Sequence, residues 1–265
     1  MKSLMPMALL AATFCFSLCP GCGSGKKAVN AVGSTSIQPF AEELAVAFRE
    51  AHPEARVQVQ GGGTTAGLQA LTNGIADIGM CSRSLSEAEA AEFTSIMIAR
   101  DGLAIVVHPS NPVDGLTTAQ VMGLFSGKIT NWKDLGGPDK TVTLITREEG
   151  SGTREAFMHL VIGDERVPRE ALVQQSNGSV RELVRNDPAG VGYISLGMVS
   201  DVKAIAIDGV EPSVDEVTAG RYRLARPFVF VIRGTPRPEA QQFIDYVLSP
   251  EGQRLLEKEG LVGIQ

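Results

Sequence analysis

From residue 28 onward, short apolar runs alternate with segments of helical period. Ala28 to Val32, Val57 to Gln60, Ala76 to Met80, Leu103 to Val107, Val142 to Ile145 and Phe228 to Ile232 read as strands. Between them, about 40–51 places Phe40, Leu44, Ala47 and Phe48 on one helical face. About 68–73, 154–162, 239–248 and 251–258 also read as helices. Strands that alternate with helices predict mostly parallel α/β sheets, in which ligands sit beyond the carboxyl ends of the strands.

Those carboxyl ends carry an unusual set of residues. The first strand runs into Gly33-Ser34-Thr35-Ser36, with Pro39 placed to open a helix. The second runs into Gly61-Gly62-Gly63-Thr64-Thr65, the third into Cys81-Ser82-Arg83-Ser84, and the run ending at Ile145 into Thr146 to Arg154. The last of these, Thr-Arg-Glu-Glu-Gly-Ser-Gly-Thr-Arg, combines a Gly/Ser turn with a helix start, where unpaired N–H groups and the helix dipole favour an anion. Ser151 and Thr153 add hydroxyl donors, and Arg147 and Arg154 add guanidinium forks suited to a tetrahedral oxyanion.

Several chemistries are not supported. Gly61 to Leu68 lacks the Lys-Ser/Thr of a nucleotide-hydrolysing loop, and Glu149 stands where a nucleophile elbow needs its first glycine. The three histidines, His52, His108 and His159, read as surface or structural groups, and no cluster has metal-ligand spacing. No cofactor or metal is expected. The net charge of −6, with no basic run carrying interleaved aromatics, argues against nucleic acid as a partner. The acidic balance does not oppose anion binding, because local dipoles and guanidinium groups decide a site while net charge governs solubility and encounter.

The N-terminus reads as a leader. Lys2 gives a small positive region, and Leu4 to Leu18 is apolar but short for a membrane span. Leu18-Cys19-Pro20-Gly21-Cys22-Gly23 resembles a bacterial lipoprotein signal, with Cys22 acylated rather than Cys19; a plain secretory signal is the alternative. Residues 1–21 would leave, 22–27 would be a tether, and the chain would sit outside the cytoplasm on a lipid anchor. Cys81 would then be a lone thiol that fills space.

The loops quoted above, together with Ala76 to Arg83, Ile129 to Leu135 and Gly190 to Gly197, resemble the phosphate-binding proteins of bacterial ABC phosphate transporters. The likeness follows family order over nearly the whole chain after residue 28. It implies an α/β fold of the two-lobed type II periplasmic binding class. Residues 28–103 with 230–265 would form one lobe and 104–229 the other, joined by a two-strand hinge through Leu103 to Val107 and Phe228 to Ile232. It also implies a monomer that captures inorganic phosphate, performs no reaction, and docks on ABC permease subunits. A carrier or sensor of sulfate or molybdate would share the fold, and a secreted phosphoester hydrolase is a more distant alternative.

Position by position, the resemblance implies an anion held by Thr35, Ser36, Thr64, Ser151, Gly152 and Thr153, with Arg147 as the charged clamp. Ser82 stands where the family's best-known members carry an Asp that accepts the phosphate proton. Glu148, Glu149, Asp77 or a carbonyl are then candidate acceptors. Glu149 is alternatively a brace for Arg147, and Arg83 a second clamp. Ser34, Thr65 and Asn177 are secondary candidates, with Asn177 read first as part of a helix start.

Overall fold

The computed structural model describes residues 28–264. The expected leader, tether and lipidated Cys22 lie outside them. The chain opens with β1 (Val29–Gly33), α1 (Gln38–Ala51), β2 (Val57–Gly61), α2 (Thr64–Thr72), β3 (Ile78–Cys81) and α3 (Glu87–Glu92). A long strand, β4 (Thr94–Val107), leads to β5 (Gly115–Leu116), α4 (Thr118–Phe125), β6 (Thr143–Arg147) and α5 (Gly152–Phe157). Next come β7 (Leu172–Gln174), α6 (Asn177–Asn186), β8 (Gly190–Ser195), β9 (Lys203–Ala204), β10 (Ala206–Ile207) and α7 (Val214–Thr218). The chain closes with β11 (Ala225–Ile232), α8 (Pro238–Leu248) and α9 (Pro250–Lys258).

Among the described residues the main sheet has nine strands, in the order β2-β1-β3-β11-β4-β8-β6-β7, with β9 also on β4. The parallel register sets Gly33 beside Gly61 and beside Met80, so the loops after β1, β2 and β3 emerge side by side. In the other half, β6 runs parallel to β7 and β8. Its carboxyl end is fixed by Tyr193, whose hydroxyl bonds Thr146 Oγ1 at 2.8 Å and accepts from the Arg147 N–H at 3.3 Å. Tyr193 itself stacks on Phe157 at 4.1 Å, with Phe125 edge-on to Phe157. The packing of three aromatic rings thus sets where Arg147 begins.

Period-two alternation builds a core on each face of both lobes. On β11, Phe228, Phe230 and Ile232 pack with Phe40, Leu44, Phe48 and Phe243, while Val229 and Val231 face Leu68, Leu71 and Phe93. On β4, Leu103, Ile105 and Val107 join Phe125, Phe157 and the fully buried Trp132, and Ala104 and Val106 meet Val180 and Val184. Trp132 anchors this core, and its indole N–H donates to Ala189 O at 2.9 Å.

Two sequence expectations need revising. The apolar run Leu103 to Val107 is only the second half of β4, which pairs with β11 before it and with β8 along it. β11 begins at Ala225, three residues before the expected Phe228, and pairs with β4 from there onward. Charged residues hid both strand starts. Asp101 in β4 and Arg226 in β11 are 1% and 3% exposed, and they pair directly, Arg226 Nη2 to Asp101 Oδ2, at 2.9 Å. Asp101 Oδ1 also accepts from Ser195 Oγ at 2.8 Å and from the Leu196 N–H at 3.2 Å. Burial pushes the carboxyl up and the guanidinium down, each towards its neutral form, and the pairing opposes both.

This pair ties together the two strands that cross between the lobes. Removing one member leaves the other charged and buried, which typically costs about 3–5 kcal/mol. Asp101→Ala is therefore expected to lower the unfolding free energy by an amount of that order, read as a lower urea midpoint at unchanged m. A loss near zero would show that the pair does not hold the crossover.

Candidate functional site

The first lobe contributes three loops. Ser34 N–H donates to Met80 O at 2.8 Å, locking the β1 loop onto β3. Ser34 Oγ accepts from the Ser36 N–H at 3.2 Å and donates to Ser82 Oγ at 2.9 Å. Thr64, the first residue of α2, is fully buried, and its Oγ1 accepts from the Ser82 N–H at 3.3 Å. Ser34, Ser36, Thr64 and Ser82 thus form one buried cluster of hydroxyl groups.

The second lobe contributes β6, the turn after it and α5. Ser151 caps α5 by accepting from the Arg154 N–H at 3.3 Å. Gly150 turns the chain at φ +83°, which suits glycine. Gly152 lies directly against the other lobe. A Cβ added there would fall 2.2 Å from Thr64 Oγ1 and 2.7 Å from Ser82 Oγ.

Contacts across the cleft are many and polar. Ser36 Oγ and Thr153 Oγ1 are 2.7 Å apart, and Asn177 Nδ2 donates to Ser36 Oγ at 2.8 Å. Arg147 Nη2 donates to Thr35 Oγ1 at 3.2 Å, and the Thr65 N–H donates to Gly150 O at 3.1 Å. The lobes are therefore closed on one another, with the hydroxyl cluster between them.

Arg147 is 1% exposed. Glu148 takes its Nε at 2.8 Å and its Nη2 at 2.9 Å, and the carbonyls of Gln174 and Gln175 accept weaker bonds. Nη1 is buried and has no hydrogen-bond partner among the described residues. A charged N–H without a partner in a dry site is costly, so this atom points to a missing acceptor. A second guanidinium stands nearby. Arg226 Nη2 donates to Ser36 Oγ at 3.2 Å and Nη1 to Ser82 O at 3.4 Å, while Asp101 holds its Nε at 3.0 Å. Each buried cation has its own carboxylate, so an anion here meets directed donors rather than a large net positive charge.

The structure brings together Thr35, Ser36, Thr64, Ser82, Arg147, Ser151, Gly152 and Thr153, with Ser34 and Asn177 in direct support. Four expectations change. Glu148, not Glu149, braces Arg147, because the turn closed by the Ser151 N–H to Glu148 O bond folds the nearer acid back. Glu149 is exposed and lines an outer groove with Arg154 and His159. Arg83 is not aimed at the cluster: it grips Glu89 at 2.6 and 2.8 Å and reaches across the cleft to Glu155 at 2.5 Å. That grip holds the Glu89 carboxyl down at about 2. Asp77 lies at the opposite end of β3, with both oxygens on Arg237 and one accepting the Asn30 N–H, and so is removed from the cleft. Thr65 contacts the Gly150 backbone rather than the cluster.

Sequence reading missed Asp101 and Arg226. The available signal was a charge placed beside an apolar strand run, as in Arg226-Pro227-Phe228. The close approach at Gly152 makes a direct test. Gly152→Ala must force the helix start away from Thr64, and overpacking of that kind costs about 1–3 kcal/mol. Anion affinity measured by titration is expected to fall by about 5- to 150-fold. An unchanged affinity would show that closure does not bring these loops together.

Comparison with known proteins gives the same architecture. A family model described as a PBP superfamily domain matches residues 21–251. The phosphate-binding protein PstS of Bacillus subtilis (strain 168) is 32% identical over 227 residues, covering 84% of this chain and 75% of that protein. PstS of Borreliella burgdorferi is 25% identical over 254 residues, with 91% of each chain covered. Among solved structures, a phosphate ABC transporter substrate-binding protein with bound phosphate from Clostridium perfringens is 37% identical, with a TM-score of 0.88 over 90% of this chain and 100% of that one. An ABC-type phosphate transport receptor from Vibrio cholerae is 38% identical, with a TM-score of 0.75 over 89% of this chain and 100% of that one. With its two-lobed α/β fold and its hydroxyl-lined cleft, the chain belongs to the PstS family of phosphate-binding proteins within the PBP superfamily.

Proposed function

We propose that this chain captures inorganic phosphate between its lobes and hands it to the permease of an ABC transporter. The observation that carries this reading is Arg147 Nη1, a buried charged donor without a protein partner beside hydroxyls supplied by both lobes. Thr35, Ser36, Thr64, Ser82, Arg147, Ser151, Gly152 and Thr153 hold the anion. Thr35, Ser36, Thr64 and Ser82 belong to the first lobe and the others to the second, so full contact exists only when the cleft is closed. Binding then shifts the population towards closure by bending at β4 and β11. The closed, loaded form is the one a permease distinguishes from the open form. Names of relatives that bind phosphate, one of them with phosphate bound, support the choice of anion.

The protein performs no reaction in this account. It works as a monomer outside the cytoplasm, held at the membrane by lipid on Cys22. Calorimetric titration with phosphate is expected to give tight 1:1 binding. Arg147→Ala should weaken it by at least about 30-fold, the equivalent of about 2 kcal/mol for a desolvated charged contact. Full affinity in that variant would contradict the reading.

A further inference from the structure

Arg83 follows directly on the anion loops. Ser82, the residue before it, is tied to Thr64 Oγ1 through its N–H and to Arg226 Nη1 through its carbonyl. The Arg83 side chain turns away from that cluster and is held within its own lobe. Glu89 takes Nη1 at 2.6 Å and Nη2 at 2.8 Å, and the Ser84 carbonyl accepts from Nη1 at 2.9 Å. Glu89 is fixed in turn by a reciprocal cap at the start of α3. Ser86 Oγ accepts from the Glu89 N–H at 3.3 Å, and the Ser86 N–H donates to Glu89 Oε2 at 2.8 Å. The guanidinium is thus preset by neighbours in the first lobe, and Nε is the edge left over.

That edge faces Glu155, in the first turn of α5, with Oε2 at 2.5 Å in a close ion pair rather than an aligned hydrogen bond. Among the described residues no other ion pair joins the two lobes away from the crossing of β4 and β11. The start of α5, Ser151 to Thr153, is the second lobe's share of the anion site, so whatever holds Glu155 also holds that share in place. Beside the pair the lobes stand apart around a cavity of about 690 Å³, with Leu85 and Ser86 on one wall and Ala156, His159 and Leu160 on the other. Apolar packing does not draw the lobes together at this point, which leaves the task to charge. We propose that Arg83 and Glu155 form a latch that stabilises the closed lobes, and so raises anion affinity, without touching the anion.

The inference rests on the phosphate reading and names positioning residues that act on the site from outside it. Burial pushes the Glu155 carboxyl up in spite of Arg83, so the pair does not fully offset its own desolvation and does not shut the cleft unaided. The anion drives closure and the latch adds to it. Losing the latch lowers the fraction of molecules in the closed form, and the apparent affinity falls by the same factor.

Glu155→Gln separates this role from plain electrostatics by sign. Deleting a negative charge near an anion site tightens anion binding through space, whereas deleting a latch weakens it. Calorimetric titration of the full chain, stripped of bound anion, with phosphate is expected to show affinity about three- to tenfold weaker in Glu155→Gln. Stopped-flow measurement should place the loss in faster phosphate release. Without anion the variant should unfold in urea at the wild-type midpoint, because the open form does not make the pair. In an Arg83→Gln background the same change at Glu155 should no longer weaken binding. Unchanged or tighter binding by Glu155→Gln, or an equal loss in both backgrounds, would overturn the inference and leave the phosphate reading standing. A lower midpoint without anion would assign Glu155 to the fold instead and overturn it as well. Absence of phosphate binding in the wild type would overturn both the inference and the reading beneath it. The single variant decides the matter even if Arg83→Gln fails to fold.

Discussion

Everything in this cleft follows from taking one guanidinium out of water. A buried charge is tolerated only where its donors are satisfied, and Arg147 is satisfied on Nε and Nη2 but not on Nη1. Glu148 lowers the electrostatic cost without using the atom that matters. What surrounds that atom is then explicable: small residues that let two lobes approach, hydroxyls that have already accepted a bond, and a helix start at Ser151. A glycine at 152 is required by the same closeness, since any side chain would overlap Thr64 and Ser82.

The crossover strands carry the second constraint. β4 and β11 are apolar along most of their length, yet they contain the buried pair Asp101 and Arg226. Arg226 reaches from the hinge to Ser36 and to the backbone of Ser82, both of which face the second lobe. The geometry of the hinge and of the hydroxyl cluster is therefore set by one hydrogen-bonded network. Outside it, Arg83 spans from the β3 loop to Glu155 on α5, adding an ion pair across the cleft.

Much of this was legible in the chain itself, because the informative signals are local. A strand ending in Gly/Ser and a helix of regular period each depend on neighbours a few residues away, and the strand-to-helix junctions after Gly33, Gly61 and Arg147 all formed, although α2 starts at Thr64, a turn before the expected residue 68, and α5 at Gly152 rather than 154. What failed depended on contacts distant in sequence or on a single turn. Whether Glu148 or Glu149 braces Arg147 is decided by the left-handed turn at Gly150. Arg83 looks like a clamp until α5 is folded against it, bringing Glu155 within reach. Asp77 is an acid in the right strand but at its wrong end. Asp101 and Arg226 are polar letters that interrupt apolar runs, and only pairing across adjacent strands explains why both are buried.

The most direct test of the central claim is a crystal structure of the full chain grown with phosphate. Tetrahedral density within hydrogen-bonding distance of Arg147 Nη1 and of the Thr35, Ser151 and Thr153 hydroxyls, between closed lobes, is the predicted result. Phosphate bound elsewhere on the molecule, or Nη1 paired with a protein acceptor while phosphate is bound, would contradict the account.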